Sequence, residues 1–147
     1  MKKVVNKPLT DKTFKAAVII CLEHDPANGL YNLEPYGKMP DWDVSQVTDM
    51  SYAFDDASSF NGNISKWNVS SVTDMGSMFY NASSFNQDLS KWNVSSVIYM
   101  NWMFDNAASF NQDLSKWDVS SVVNKEYIFN GALALKLPKP NFINAYK

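Results

Sequence analysis

The sequence contains no arginine; each of its 13 basic residues is lysine. No guanidinium fork is therefore present for bidentate recognition of phosphate or carboxylate. With a formal net charge of -2, this argues against a nucleic-acid partner. Cysteine and histidine occur once each, as Cys21 and His24. One of each cannot supply an intramolecular disulfide or a zinc cluster, and the usual Cys/His and Ser/His catalytic pairings find little material. Long apolar runs are missing too. The stretch Ala16 to Leu22 falls far short of the roughly 20 residues a membrane span needs, so no span is expected. Met1-Lys2-Lys3 is charged like the start of a signal peptide, but no apolar stretch of roughly 7 to 15 residues follows it.

What is present is a hydrophobic, aromatic chain. Its 147 residues, 46% hydrophobic and 14% aromatic against 19% charged, have the profile of one folded domain and not of disorder. Trp42, Trp67, Trp92 and Trp117 lie 25 residues apart. The same interval carries Val44, Val69, Val94 and Val119, then Val47, Val72, Val97 and Val122, and then Phe54, Phe79, Phe104 and Phe129. It also carries Ala57, Ala82, Ala107 and Ala132, and the row Phe60, Phe85, Phe110 and Leu135, in which each Phe precedes an asparagine. Such a repeat is read as coils that bury their apolar faces only against one another.

Within a unit, Leu89, Trp92 and Val94 have the spacing of a short inward-facing strand. Val72, Met75, Met78 with Phe79, and Ala82 have the three-and-four spacing of a short helix, begun by the capping-box-like Ser71-Val72-Thr73-Asp74. The expected fold is an α/β repeat, a leucine-rich-repeat-like right-handed solenoid of about four coils with short parallel strands, short helices and caps. Residues 1–35 are the expected N-terminal cap, with a helix from near Thr10 or Asp11 burying Phe14, Ala17, Val18, Cys21 and Leu22. Residues 36–135 form four repeats. Residues 136–147 form a C-terminal cap. Near this end Lys125 replaces the ladder methionine, Lys139 falls at the leucine position and Phe142 at the tryptophan position, so a degraded fifth strand closed by Pro138 and Pro140 is expected, the prolines discouraging further strand pairing.

The order Trp92-Asn93-Val94-Ser95, Met103-Phe104, Phe110-Asn111-Gln112-Asp113-Leu114 resembles the repeats of BspA-like bacterial surface proteins, a branch of the leucine-rich repeat superfamily, over about Met39 to Leu135. The resemblance implies a strand-and-helix solenoid at a cell surface or secreted, engaged in adhesion or recognition, with no catalytic residues, cofactor or metal.

The four in-register tryptophans are in step with the inward positions and read as core; the alternative is an exposed sugar-binding row. The methionine rows read as core filler. His24, after a helix end, reads as a dipole partner. Asp88 and Asp113 repeat with the unit and read as turn residues, because a catalytic group is needed once. The tripeptides starting at Asn63, Asn68, Asn81 and Asn93 match the glycosylation sequon but arise from the repeat itself. If Trp92 and Val94 face inward, an outward polar ribbon results, with Asp41, Lys66, Lys91 and Lys116 in one column and Asp43, Asn68, Asn93 and Asp118 in the next. The expected function is a non-catalytic recognition or adhesion module, a monomer or weak dimer, binding a protein or glycan partner on this ribbon. A carbohydrate-binding module using the tryptophan row and a purely structural spacer are the alternatives.

Overall fold

The computed structural model describes residues 5–142. Among them there is one α-helix, α1 (Phe14–His24), and one three-residue 3₁₀ turn, Met39–Asp41. Neighbouring coils meet in parallel pairing only as isolated bridges, Asp49 with Asp74, Asp74 with Tyr99, and Tyr99 with Asn124. The fold is thus not an α/β leucine-rich-repeat-like solenoid. Neither the repeated strand nor the repeated helix forms, and the coils are built from turns.

The hydrogen bonds show why. In the first coil alternate N–H groups leave the coil altogether: Met50 donates to Asp74 (2.9 Å), Tyr52 to Gly76 (3.0 Å), Phe54 to Met78 (2.8 Å) and Asp56 to Tyr80 (2.8 Å). The intervening ones close tight turns, Ala53 to Met50, Asp55 to Tyr52 and Ala57 to Phe54. A helix would send every one of these donors four residues back along its own chain. Two positions per coil also have left-handed backbone, Tyr52 and Asp56 in the first and Ser77 and Asn81 in the second, which no right-handed helix tolerates. Successive turns place one apolar residue inward per turn, so Val72, Met75, Met78, Phe79 and Ala82 are all buried without being helical.

The expected strand fails for a related reason. Trp92 N–H closes a turn on Leu89 and Val97 N–H closes another on Val94. Between them Asn93 Oδ1 accepts the N–H and the hydroxyl of Ser95 at 3.1 and 2.6 Å, and Asp88 Oδ1 accepts the N–H of Ser90. Short polar side chains that bond to backbone two residues on favour turns over extended ladders. The Asx-x-Ser pairs recur in every coil and bend the segment that its apolar spacing marks as a strand.

The inward-facing rows themselves pack as expected. The four in-register tryptophans are 3 to 4% exposed. Three reach down one coil: Trp67, Trp92 and Trp117 donate from Nε1 to the carbonyls of Met39, Ile64 and Leu89. Phe54, Phe79, Phe104 and Phe129 stack in a column with centroids 5.4 to 5.7 Å apart. Phe60, Phe85 and Phe110 form a second column at 5.8 and 6.0 Å. Offset stacking at these separations is favourable for aromatic quadrupoles. Each repeated asparagine also ties coils together, since Asn61 Oδ1 accepts from Asn86 N–H and from Gln87 Nε2, and Asn86 repeats this with Asn111 and Gln112.

At the N-terminal end α1 buries Phe14, Ala17, Val18 and Cys21, with Phe14 edge-on to Trp67 at 5.7 Å. The regular helix is preceded by a turn over 11–13 in which Thr10 O accepts from the N–H groups of Thr13 and Phe14; the Asp11 carboxylate in that turn accepts the N–H and hydroxyl of Thr48 and the N–H of Asp49. Lys15 completes the junction with an ion pair to Asp49 at 3.3 Å. Gly62 stands where later coils have Gln87 and Gln112, and a Cβ there would lie 2.5 Å from the carbonyl of Asn28. The cap loop thus accounts for that break in the repeat. At the other end no fifth strand forms among the described residues; the Pro138 carbonyl accepts from Leu114 N–H, and Lys136 and Leu137 donate to Asn111 Oδ1. Residues 1–4 of the N-terminal cap and 143–147 of the C-terminal cap lie outside the described residues.

Candidate functional site

All eight ribbon residues, Asp41, Asp43, Lys66, Asn68, Lys91, Asn93, Lys116 and Asp118, are exposed. The strand that would align them is absent, and the second column has a local task. Asp43, Asn68, Asn93 and Asp118 each give a side-chain oxygen to the serine two residues on. In the first column, Lys91 and Lys116 lie beside Asp88 and Asp113, so the lysines do not form an isolated cationic centre. Hydrogen bonds from Ser90 and Ser115 hold those two carboxyls below the ordinary range, and the lysines add to this. Lys116 shares a shallow depression of about 210 Å³ with Asp88, Asp113 and Gln112.

A larger concavity lies on the face where helices were expected. Tyr52, Asp55, Ser77, Tyr80, Trp102 and Asp105 line a groove of about 420 Å³. These are two columns of the repeat crossing three coils. One column runs Tyr52, Ser77, Trp102 and the other Asp55, Tyr80, Asp105, so rings alternate with small or acidic residues. Ser77 opens the gap between the two outer rings. Trp102 is stacked on Tyr127 of the next coil at 6.3 Å with ring planes 7° apart.

The backbone under this groove is unusual. Tyr52, Ser77, Trp102 and Tyr127 have φ between 55 and 60°. Left-handed backbone costs a residue with a side chain roughly 1 to 2 kcal/mol, and it is most unfavourable for bulky residues. The coil's second left-handed position holds Asp56, Asn81, Asn106 and Gly131, the types that tolerate it. The first position holds three aromatics instead, with Tyr52 58%, Trp102 38% and Tyr127 61% exposed.

The electrostatics are one-signed, since no lining residue is basic. Burial, with the like charge of Asp56, pushes the Asp55 carboxyl up. Asp105 is 6% exposed, and its Oδ1 accepts from Asn130 Nδ2 at 3.0 Å. The sequence reading missed this site because it followed only the residues that repeat. Trp102, the one tryptophan out of register, was the available signal. His24 and Cys21 take no part: His24 stacks on Tyr31 and its Nδ1 meets Ile20 O, while Cys21 is buried with Sγ on Gly29 O.

The chain is thus a repeat protein, a stack of turn-built coils in which each coil bonds to its neighbours. The chain belongs to the family described as Mycoplasma protein of unknown function, DUF285, which matches residues 30–142. That finding overturns the resemblance to BspA-like leucine-rich repeat proteins, and the leucine-rich-repeat assignment is withdrawn along with the strand-and-helix fold it implied. No curated protein and no solved structure matches the chain. Among the described residues no helix is long and apolar enough to cross a membrane.

Proposed function

We propose that this chain is a non-catalytic recognition module that binds a protein or glycan partner in the groove formed by Tyr52, Tyr80 and Trp102. The observation that carries this reading is the placing of solvent-facing aromatic rings at left-handed turn positions. They add nothing to the filled interior there and cost backbone energy, and strain retained at a surface position is a pointer to function. Burial of the other four tryptophans favours this groove over a sugar platform on the in-register row. A glycosidase-like role for Asp55 and Asp105 is disfavoured, because Asp105 is 6% exposed and its Oδ1 is held by Asn130 Nδ2 at 3.0 Å. Tyr80 also stands between them in the column.

The test is parallel screening of wild type, Trp102→Ala and Lys91→Glu against a glycan array and a peptide library, with all three matched for Tm. Loss of binding in Trp102→Ala and retention in Lys91→Glu is expected. Binding that survives Trp102→Ala and fails in Lys91→Glu would move the site to the polar ribbon. No retained ligand for wild type on either surface would leave the spacer reading in its place.

A further inference from the structure

We infer that the groove is a receptor for a quaternary ammonium group, seated between Tyr52 and Trp102 over Tyr80 with Asp55 and Asp105 at its margin; this rests on the groove being the binding surface. Three features of the six lining residues select that chemistry. The first is charge: two carboxylates and no basic residue face one concavity, which repels anions. A neutral guest would have to cover the exposed Asp55 carboxylate with only hydrogen bonds in return, and burying a charge without an opposite one is costly.

The second feature is the rings. Three aromatic side chains, one of them an indole, present π surface to the same space, and the ring quadrupole attracts a cation held within about 6 Å of the centroid. Ring faces accept hydrogen bonds poorly, so a primary ammonium, strongly hydrated and carrying three donors, would leave water for little. A quaternary nitrogen has no N–H to satisfy.

The third is room. Ser77 leaves one ring out of the column between Tyr52 and Trp102, so a rounded head can enter between side chains where a further ring would close the column into a ridge.

The fluorescence of the chain isolates the site. Four of its five tryptophans are 3 to 4% exposed and Trp102 is 38% exposed, so iodide and acrylamide should quench Trp102 selectively. Titration with choline should give saturable protection from acrylamide. The same-shaped neutral alcohol 3,3-dimethylbutan-1-ol should bind at least about tenfold more weakly, in keeping with a desolvated cation–π contact. Asp55→Asn, an exposed change that leaves the core untouched, should weaken choline several-fold. Trp102→Phe should retain part of the affinity that Trp102→Ala loses.

An Nε-trimethyl-lysine peptide and phosphocholine, run side by side, distinguish a protein source from a phosphocholine-bearing one, and saturation by either supports the inference. Equal affinity for choline and its neutral analogue, or no protection by any ammonium probe, overturns it. If the arrays nonetheless return a ligand that Trp102→Ala abolishes, the recognition reading stands and only the ammonium assignment falls. If no groove-dependent ligand appears, both fall.

Discussion

Replacing Trp92 by alanine removes the indole of a central coil, where the side chain is 4% exposed and its Nε1 donates to the Ile64 carbonyl at 3.1 Å. Two losses are separable. Emptying the volume of a buried tryptophan costs about 3 to 5 kcal/mol in transfer and cavity terms. Losing the indole hydrogen bond costs about 0.5 to 1.5 kcal/mol, because the Ile64 carbonyl keeps the N–H of Trp67 at 3.2 Å. Trp92→Phe retains most of the ring but not the N–H, so it should show mainly the second loss, about 0.5 to 1.5 kcal/mol. Domains of ordinary size are stable by only about 5 to 15 kcal/mol, so the alanine variant should lie near the limit of folding. The two losses together are about 3.5 to 6.5 kcal/mol, and at roughly 2 to 4 °C per kcal/mol for a chain of this size its Tm should fall by about 7 to 26 °C. Urea unfolding followed by circular dichroism gives both free energies. Trp92→Ala within about 0.5 kcal/mol of wild type, the scatter of surface changes, would refute the assignment of the tryptophan row to the interior. If Trp92→Phe were as damaging as Trp92→Ala, the hydrogen bond to the coil below would outweigh the packing.

Two further outcomes test the N-terminal junction. Gly62→Ala should destabilise the protein by about 1 to 3 kcal/mol, because its Cβ meets the Asn28 carbonyl at 2.5 Å and the Phe60 ring at 2.6 Å; an unchanged urea midpoint would mean the cap loop yields freely. The Asp11 carboxyl is pushed up by partial burial, but the hydrogen bonds from Thr48 and Asp49 and the charge of Lys15 outweigh this and hold it below its ordinary value. A folded-state carboxyl held low contributes stability that is complete above its unfolded value, about 3.9, and is lost as pH falls through the folded one. Tm should therefore drop in that acid window, and Asp11→Asn should lower Tm at neutral pH while flattening the acid slope; parallel slopes for the two proteins would show that Asp11 does not anchor the cap.

How much of this was legible in the residues follows from what periodicity encodes. The rows of Trp67, Val69, Val72, Phe79 and Phe85 are buried as their register requires, because burial depends on which residues recur at one height of the stack. Backbone conformation was not legible from the same rows. Three-residue spacing is shared by a helical face and by a run of tight turns, and only the destination of the N–H groups separates them. The distinguishing marks were local: Asp56, Asn81, Asn106 and Gly131 are residues suited to left-handed backbone, and the Asx-x-Ser pairs favour turns. A helix through 76–81 would have had to absorb Gly76 and Asn81, both weak helix formers. The polar ribbon was visible as a set of exposed side chains, but its asparagine and aspartate column turned out to stabilise the turns that replace the strand.

The repeat also separates what must recur from what is free to vary. A position facing inward meets its own copies above and below, so Phe54, Phe79 and Phe104 stack only if each coil supplies the same ring. An outward position has no such constraint, and most outward positions here carry the serine, asparagine and lysine of a solvated surface. The column of Tyr52, Ser77, Trp102 and Tyr127 behaves differently. It varies as an outward position does, yet its variants are three large rings and one small residue at a backbone conformation that disfavours rings. Ser77 is the member that makes a groove out of what would otherwise be a continuous aromatic ridge, with Tyr80 of the same coil forming its floor. Ser77→Tyr is therefore a change that fills the site from a position that is 4% exposed and left-handed in backbone. It should lower stability to urea by about 1 to 3 kcal/mol and, in the folded protein, abolish protection of Trp102 by choline. Protection that persists with a tyrosine at 77 would place the bound group outside the gap between Tyr52 and Trp102.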